Sequence, residues 1–232
     1  MLEEKHIKFM RDVEDRYKAA SGLDNRSQYK IYYCAVQPAE ILLLGINPGG
    51  DPADITPDGT KTRNGEIVSS SGFYYENYEH DVFDCEWAMN RKIRPFLRNL
   101  TERQDTEIRK RVVYTNIAFR RSRGVDDIDI EGAKREAASF LVEIASYVAP
   151  RLIILSGAKL KDFENLICDE CQEIETRQVE PRINHTVFWP ARVKIKGSSI
   201  DAVAVQIAHA SQFSWTYESF DVANRIKTLV HL

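Results

Sequence analysis

The hydrophobic positions of this chain form two kinds of pattern, short aliphatic runs and longer stretches with helical spacing. Runs at residues 41–44, 111–118 and 151–155 are rich in aliphatic residues and predict strands that are buried on both faces. Residues 186–195 and 200–208 predict two further strands, and the intervening Lys-Gly-Ser-Ser segment predicts a hairpin.

Between these runs, apolar residues recur every three or four positions, which predicts amphipathic helices. The predicted helices cover residues 3–20, 85–101, 128–148, 159–173 and 217–230. Residues 29–36 are rich in β-forming residues and predict an extended lead-in to the first strand. Because strands and helices alternate, the pattern predicts an α/β fold, a three-layer α/β/α sandwich with a mainly parallel central sheet.

Length and composition narrow the picture further. The chain has 232 residues with neither a repeat nor a linker, so we expect a single domain. No apolar run approaches the roughly 18 residues that span a membrane, and the charged N-terminus does not resemble a signal peptide. Four scattered cysteines are typical of free thiols in a reducing compartment. We therefore expect a cytoplasmic protein that does not associate with membranes.

Polar residues that can do chemistry stand where the predicted strands end. Asn47 lies in the Gly-Pro-rich turn at residues 45–50, Asn116 ends the second strand, and His209 follows the last. Because the carboxyl ends of parallel strands share one edge of a sheet, we expect these three side chains to converge on one cleft. Each also has a purely structural alternative: a turn cap for Asn47, a bond to loop backbone for Asn116, and a satisfied core imidazole for His209.

Several familiar site motifs are missing from the sequence. The turn at residues 45–50 does not match G-x-G-x-x-G, and the sequence contains neither a P-loop nor G-x-S-x-G. Cys168 and Cys171 have the spacing of half a zinc site, but no second pair completes the four ligands. On the predicted helix the two thiols lie at positions i and i+3 and stay free. We therefore expect no metal and no cofactor.

The strand ends resemble three motifs of the uracil-DNA glycosylase superfamily. GINPG at residues 45–49 is similar to the first motif, in the G-[IM]-N-P-G form of the mismatch-specific and single-strand-selective branches. YTN at residues 114–116 resembles the middle element, and HAS at residues 209–211 resembles the second motif. Their order and spacing fit the family, so the resemblance covers residues 38–215 as a core, flanked by residues 1–37 and a C-terminal helix at residues 216–232.

The resemblance implies a monomeric enzyme of base excision repair that hydrolyses the N-glycosidic bond of uracil or a related damaged base without a cofactor. Asn47 would orient the attacking water, although an amide cannot accept the water's proton. His209 would donate a hydrogen bond to the leaving base, and Asn116 would read the base edge. The other base-binding positions implied are Gly45, Ile46, Pro48, Gly49, Phe73, Tyr74 and Ser211.

The implied partner is DNA, single- or double-stranded, from which the target base is flipped. Candidate phosphate contacts are Lys61, Arg63, Arg120, Arg121 and Arg123. Three features depart from the family pattern: the aromatic candidate comes late, after an irregular loop at residues 51–72; Ala210 replaces a proline; and the net charge is −3. They leave open a non-catalytic superfamily member that binds a nucleobase, nucleotide or nucleic acid, and also hydrolysis of a free nucleoside or nucleotide.

Overall fold

The computed structural model describes residues 2–48, 55–56, 61–63, 66–69, 80–84, 88–122 and 125–230. Four candidate site residues lie outside these ranges: Gly49, Phe73, Tyr74 and Arg123. For Lys61 and Arg63 only the backbone is described.

In chain order the strands are β1 (Ile41–Gly45), β2 (Lys61–Arg63), β3 (Glu66–Ser69), β4 (Val112–Asn116), β5 (Leu152–Ser156), β6 (Cys168–Glu173), β7 (Gln178–Glu180), β8 (His185–Ile195) and β9 (Asp201–Ile207). In the described part of the chain, seven of them form one mixed sheet with the order β4-β1-β5-β9-β8-β6, and β7 also pairs with β8. The first four strands of that order are parallel, and β8 runs antiparallel to β9. β2 and β3 form a separate antiparallel pair, so the loop predicted at residues 51–72 contains regular structure.

The helices of the described residues are α1 (Glu4–Ser21), α2 (Asp81–Asp84), α3 (Ala88–Thr101), α4 (Asp105–Ile108), α5 (Ile130–Val148), α6 (Leu160–Ile167), α7 (Ala210–Phe213), α8 (Trp215–Ser219) and α9 (Val222–Val230), with a 3₁₀ turn at Val125–Asp127. They form two packed groups: α5 contacts α1 and α6, whereas α3 contacts α7 and α9. Since crossovers between parallel strands are right-handed, α3 and α5 must lie on opposite faces of the sheet. The predicted α/β architecture with helices on both faces is confirmed.

Burial explains why the aliphatic runs form the central strands. Every residue of β1, β4 and β5 is buried, and β9 is buried after its first residue. Strands covered on both faces by helices need apolar side chains at every position, which is the pattern of these runs. The helices predicted at residues 3–20 and 128–148 are also confirmed, as is the part of the helix at residues 85–101 that the structure describes.

The chain order along the parallel strands reverses at one place. The connection from β1 leads to β4 on one side, and the chain then crosses back over β1 to β5 and on to β9. Ligands of open α/β sheets bind in the crevice at the carboxyl ends of the strands where this order reverses. The fold therefore points to the carboxyl ends of β1 and β5.

The helix predicted for residues 159–173 is wrong in its second half. α6 ends at Ile167, and the following residues form β6. The pairing of β6 with β8 is irregular between Cys168 and Glu170, so Cys168 lies opposite Ile195 and Cys171 lies opposite Val193. Because Ile195 and Val193 are two residues apart on β8, the two cysteines share a face of an edge strand rather than of a helix. Pairing with β8 outweighed the local helical pattern, because strand formation depends on the neighbouring strand.

The C-terminal helix also differs from the prediction. The helix predicted for residues 217–230 is divided into α8 and α9, and Asp221 between them has a φ of 49°. Residues 29–36, predicted as an extended lead-in, form isolated bridges, from Tyr29 to Arg120 and from Cys34 to His80. In the ranges given above, no helix is long and apolar enough to cross a membrane.

Candidate functional site

The turn that follows β1 is fixed to the segment that follows β4. Three backbone hydrogen bonds join them: Ile117 N to Gly45 O (3.0 Å), Ala118 N to Ile46 O (2.9 Å) and Ser122 N to Pro48 O (3.2 Å). They continue the pairing of the two strands beyond the sheet. Residues 45–48 are therefore held as a rigid extension of β1 at the carboxyl edge.

Asn47 is oriented by Ser122. Its Nδ2 donates to Ser122 Oγ at 2.8 Å and makes a longer contact of 3.4 Å with Pro48 O. Ser122 is only 3% exposed. No described residue donates a hydrogen bond to Asn47 Oδ1. Because the amide nitrogen is directed at Ser122, the carbonyl oxygen remains as an acceptor that can hold a water molecule.

Asn116 lies directly against Gly45, its register partner on β1. A Cβ atom on Gly45 would lie 2.2 Å from Asn116 Oδ1, so a side chain at this position would displace the amide. Asn116 is 1% exposed, and its Nδ2 donates to the Tyr33 hydroxyl at 2.7 Å. One N–H group of the amide is thereby committed to Tyr33.

Tyr33 belongs to the lead-in at residues 29–36, which runs along the outer edge of β4. Its ring lies against that of Tyr114, with 4.3 Å between the ring centroids, and its backbone N–H donates to Tyr114 O at 3.2 Å. The Lys30 ammonium group lies 4.3 Å from the centroid of the Tyr33 ring. These contacts fix the hydroxyl that binds Asn116.

His209 follows β9 and packs on the turn that follows β5. A Cβ atom on Gly157 would lie 2.7 Å from His209 Cδ2, and Gly157 has a φ of 79°. The backbone N–H of Gly157 donates to Ile207 O at 3.0 Å, which joins the ends of β5 and β9. Both the close approach and the left-handed backbone favour glycine here.

The His209 ring has a defined electrostatic environment. Burial lowers the pKa of His209 below its ordinary value of 6.5, because desolvation disfavours the imidazolium ion. Its Nδ1 lies 2.8 Å from Ser211 Oγ. In the neutral tautomer to which the Ser211 hydroxyl donates at Nδ1, Nε2 carries the hydrogen and is a donor. Within the described ranges no residue hydrogen-bonds to Nε2.

The structure therefore places Asn47, Asn116 and His209 at the same edge of the sheet. β1 and β9 are separated only by β5, which corresponds to about 10 Å between the two strands. An acceptor after β1 and a donor after β9 thus flank the place where the strand order reverses. Asn116 lies one strand further out, on β4.

Two of the predicted phosphate contacts are engaged inside the protein. Arg120 pairs with Glu136, with Nη2 2.6 Å from Oε2, and this contact raises the pKa of Arg120. Arg121 is buried, and its Nε donates to the carbonyl groups of Arg26 and Tyr29 at 3.0 and 3.2 Å. Both guanidinium groups thus already have partners within the protein.

Two clefts lined by described residues lie at the opposite edge of the sheet. The larger, of about 550 Å³, is lined by residues that include Arg151, Lys194 and Asp201, and the other, of about 370 Å³, lies beside Glu40 and Lys110. Neither cleft contains a predicted site residue. In the ranges described, no three His, Cys, Asp or Glu side chains are grouped so that they could hold a metal ion.

Sequence reasoning missed Ser122 and Tyr33, the residues that orient the two asparagines. Both are distant in sequence from their partners, and no local pattern marks them. No family model and no curated protein matches this sequence.

Proposed function

We propose that this protein is a DNA glycosylase-like hydrolase, which removes uracil or a related damaged base by hydrolysis of the N-glycosidic bond. The observation that carries the proposal is the placement of Asn47 Oδ1 and His209 Nε2, neither of which has a hydrogen-bond partner among the described residues. They flank the place at the carboxyl edge where the order of the parallel strands reverses, which is where ligands of open α/β sheets bind.

Cleavage of a base–sugar bond leaves cationic charge on the sugar and sends the bonding electron pair to the base. In this proposal His209 Nε2–H donates a hydrogen bond to the base oxygen on which the negative charge develops. A neutral imidazole suits this role because its Nε2–H donates a hydrogen bond to the base without transferring its proton. Asn47 Oδ1 accepts a hydrogen bond from the water that attacks the sugar, and the water's proton is released to solvent.

Asn116 is proposed to read the edge of the base. Its amide offers an acceptor, Oδ1, and a second N–H group besides the one bound by Tyr33. An adjacent acceptor and donor match the N–H and carbonyl groups on the imide edge of uracil. The position of Asn116 over Gly45 supports this role, because it fixes the amide at the carboxyl end of β4.

One observation favours a second candidate, a protein that binds a nucleobase, nucleotide or nucleic acid without turnover. Arg120 and Arg121 are both engaged by protein groups, although a DNA-processing enzyme needs cations that face the phosphates. The amide at Asn47 also cannot act as a general base. Binding without base release is the behaviour that this alternative predicts.

The deciding experiment is a strand-nicking assay on uracil-containing oligonucleotides, single- and double-stranded, with alkaline cleavage at abasic sites as the readout. We expect base release by the parent protein, and a loss of about 10²- to 10³-fold in His209→Ala, the range typical of removing one such donor. Asn47→Ala should also lose activity, whereas Asn224→Ala, on the exposed surface of α9, should not. Binding of the oligonucleotides without release of any tested base would favour the second candidate. A parent protein that neither binds them nor releases a base would contradict both candidate functions.

A further inference from the structure

The hairpin formed by β7 and β8 projects beyond the edge of the sheet at which the candidate site lies. Phe188 of β8 pairs with Ile207, the last residue of β9. The residues of β8 from His185 to Phe188 therefore continue about 10 Å past the end of β9. The turn at residues 181–184 forms the tip of this hairpin, on the same side of the sheet as His209.

The projecting hairpin contacts the segment that follows His209. The His185 ring packs against Phe213, with 4.6 Å between the ring centroids. The Arg182 guanidinium lies 5.2 Å from the centroid of the Trp215 ring. We call these four residues, Arg182, His185, Phe213 and Trp215, the aromatic ledge. Two separate parts of the chain build it beside the candidate site.

Its outer members face solvent. Among the residues that the structure describes, Trp215 is the one large hydrophobic residue that is exposed, at 42%. The Arg182 side chain is 76% exposed. Its Nε donates to Glu180 at 2.7 Å, and no described residue hydrogen-bonds to its two Nη groups. An exposed indole therefore stands beside charged N–H donors that are directed to solvent.

We infer that the aromatic ledge binds an unpaired nucleotide of single-stranded DNA, adjacent to the nucleotide whose base enters the candidate site; this inference rests on the proposed function. An indole face stacks on any base, and this interaction is a major source of affinity for single strands. Arg182 supplies Nη donors for the neighbouring phosphate. Arg182 pairs with Glu180 through Nε, and its two Nη groups supply the cationic contact of the ledge.

The test measures binding rather than catalysis. A single-stranded deoxythymidine oligomer of about 12 nucleotides, without uracil, suits the length that such surfaces cover. We expect it to quench tryptophan fluorescence in the parent protein. Trp215→Ala should weaken its binding about tenfold, as expected for loss of one stacked base, whereas Trp215→Phe should keep most of the affinity. A fully paired duplex of the same length should not depend on Trp215.

A matched pair of arginine variants separates a local contact from a general effect of charge. Arg182→Ala should weaken binding and reduce the slope of log affinity against log salt by about one. Arg192→Ala removes an exposed arginine beside the larger cleft at the opposite edge and should change neither quantity. Thermal melting checks that the variants are folded.

The outcomes distinguish this inference from the proposed function. Equal affinity of the parent and Trp215→Ala would overturn the ledge, even where the parent protein releases uracil. Weaker binding by Trp215→Ala together with no base release would support the ledge and contradict the enzyme. No binding of the oligomer by the parent protein would overturn the ledge as a nucleic-acid site. A larger effect of Arg192→Ala than of Arg182→Ala would also overturn it.

Discussion

At the scale of single residues, two side chains of the candidate site, Asn47 and His209, are each oriented by a serine. Ser122 binds the amide nitrogen of Asn47, and Ser211 contacts Nδ1 of His209. In each case the serine binds one polar atom of the side chain. The other polar atom, Oδ1 of Asn47 or Nε2 of His209, has no hydrogen-bond partner among the described residues. The chemistry of the site thus depends on hydroxyl groups that do no chemistry themselves.

For Ser122→Ala we expect kcat for base release to fall about five- to tenfold with little change in KM, since one buried hydrogen bond contributes about 1 kcal/mol. The loss follows because Asn47 can then rotate its amide and misplace the water. Steady-state kinetics measure both constants. Ser139→Ala, an exposed serine on α5, serves as control and should match the parent. An unchanged kcat in Ser122→Ala would contradict this role.

The half-buried ring of His209 makes the free energy of unfolding depend on pH. Its folded-state pKa lies below 6.5, so the unfolded chain takes up a proton first as the pH falls. The free energy of unfolding should therefore decrease as the pH falls through 6.5 and level off below the folded-state pKa. Urea denaturation against pH should show this decrease in the parent and less of it in His209→Gln. An NMR titration midpoint of the His209 ring above 6.5 would contradict the argument.

At the scale of elements, glycines at or after the strand ends let the neighbouring side chains approach. Gly45 ends β1 against Asn116, and Gly157 follows β5 against His209. The strands themselves were predictable, because β1, β4 and β5 are uninterrupted apolar runs. The contacts across their ends were not, because no local pattern tells which glycine faces which side chain.

Gly157→Ala should lower the free energy of unfolding by more than the roughly 1–2 kcal/mol that a left-handed backbone costs an alanine. The excess comes from the contact with His209, at 2.7 Å in the present geometry. Gly197→Ala is the matched control: its φ is 63° and nothing lies within 4 Å of the added Cβ. Urea denaturation compares the two variants. Equal decreases in the free energy of unfolding would contradict the argument, because the contact with His209 would then add nothing to the backbone cost.

At the scale of the whole molecule, the N-terminal region supports the site from outside the sheet. Met10 of α1 is fully buried; its carbonyl accepts from the Tyr32 hydroxyl at 3.0 Å, and its Sδ lies 3.3 Å from Val36 N. These contacts hold the lead-in against β4, where Tyr33 binds Asn116. The helix at the start of the chain is thus linked to Asn116 through two layers of packing.

Met10→Ala should lower the free energy of unfolding by about 2–5 kcal/mol, because it leaves a cavity between α1 and the lead-in. Ile7→Ala changes a half-buried residue one turn away and should cost less. Guanidinium denaturation measures both. A loss in Met10→Ala no larger than in Ile7→Ala would mean that α1 is not integrated with the core.

The sequence by itself determined the central strands, most of the helices and the three polar residues that follow strands, because burial on both faces requires continuous apolar runs. Only the tertiary structure decided that residues 168–173 pair with β8, since an edge strand depends on its neighbour more than on its own pattern. It also decided that Ser122 and Tyr33 orient the two asparagines, and that a hairpin meets Trp215 beside His209. Those contacts join residues far apart in the chain, and local periodicity carries no information about them.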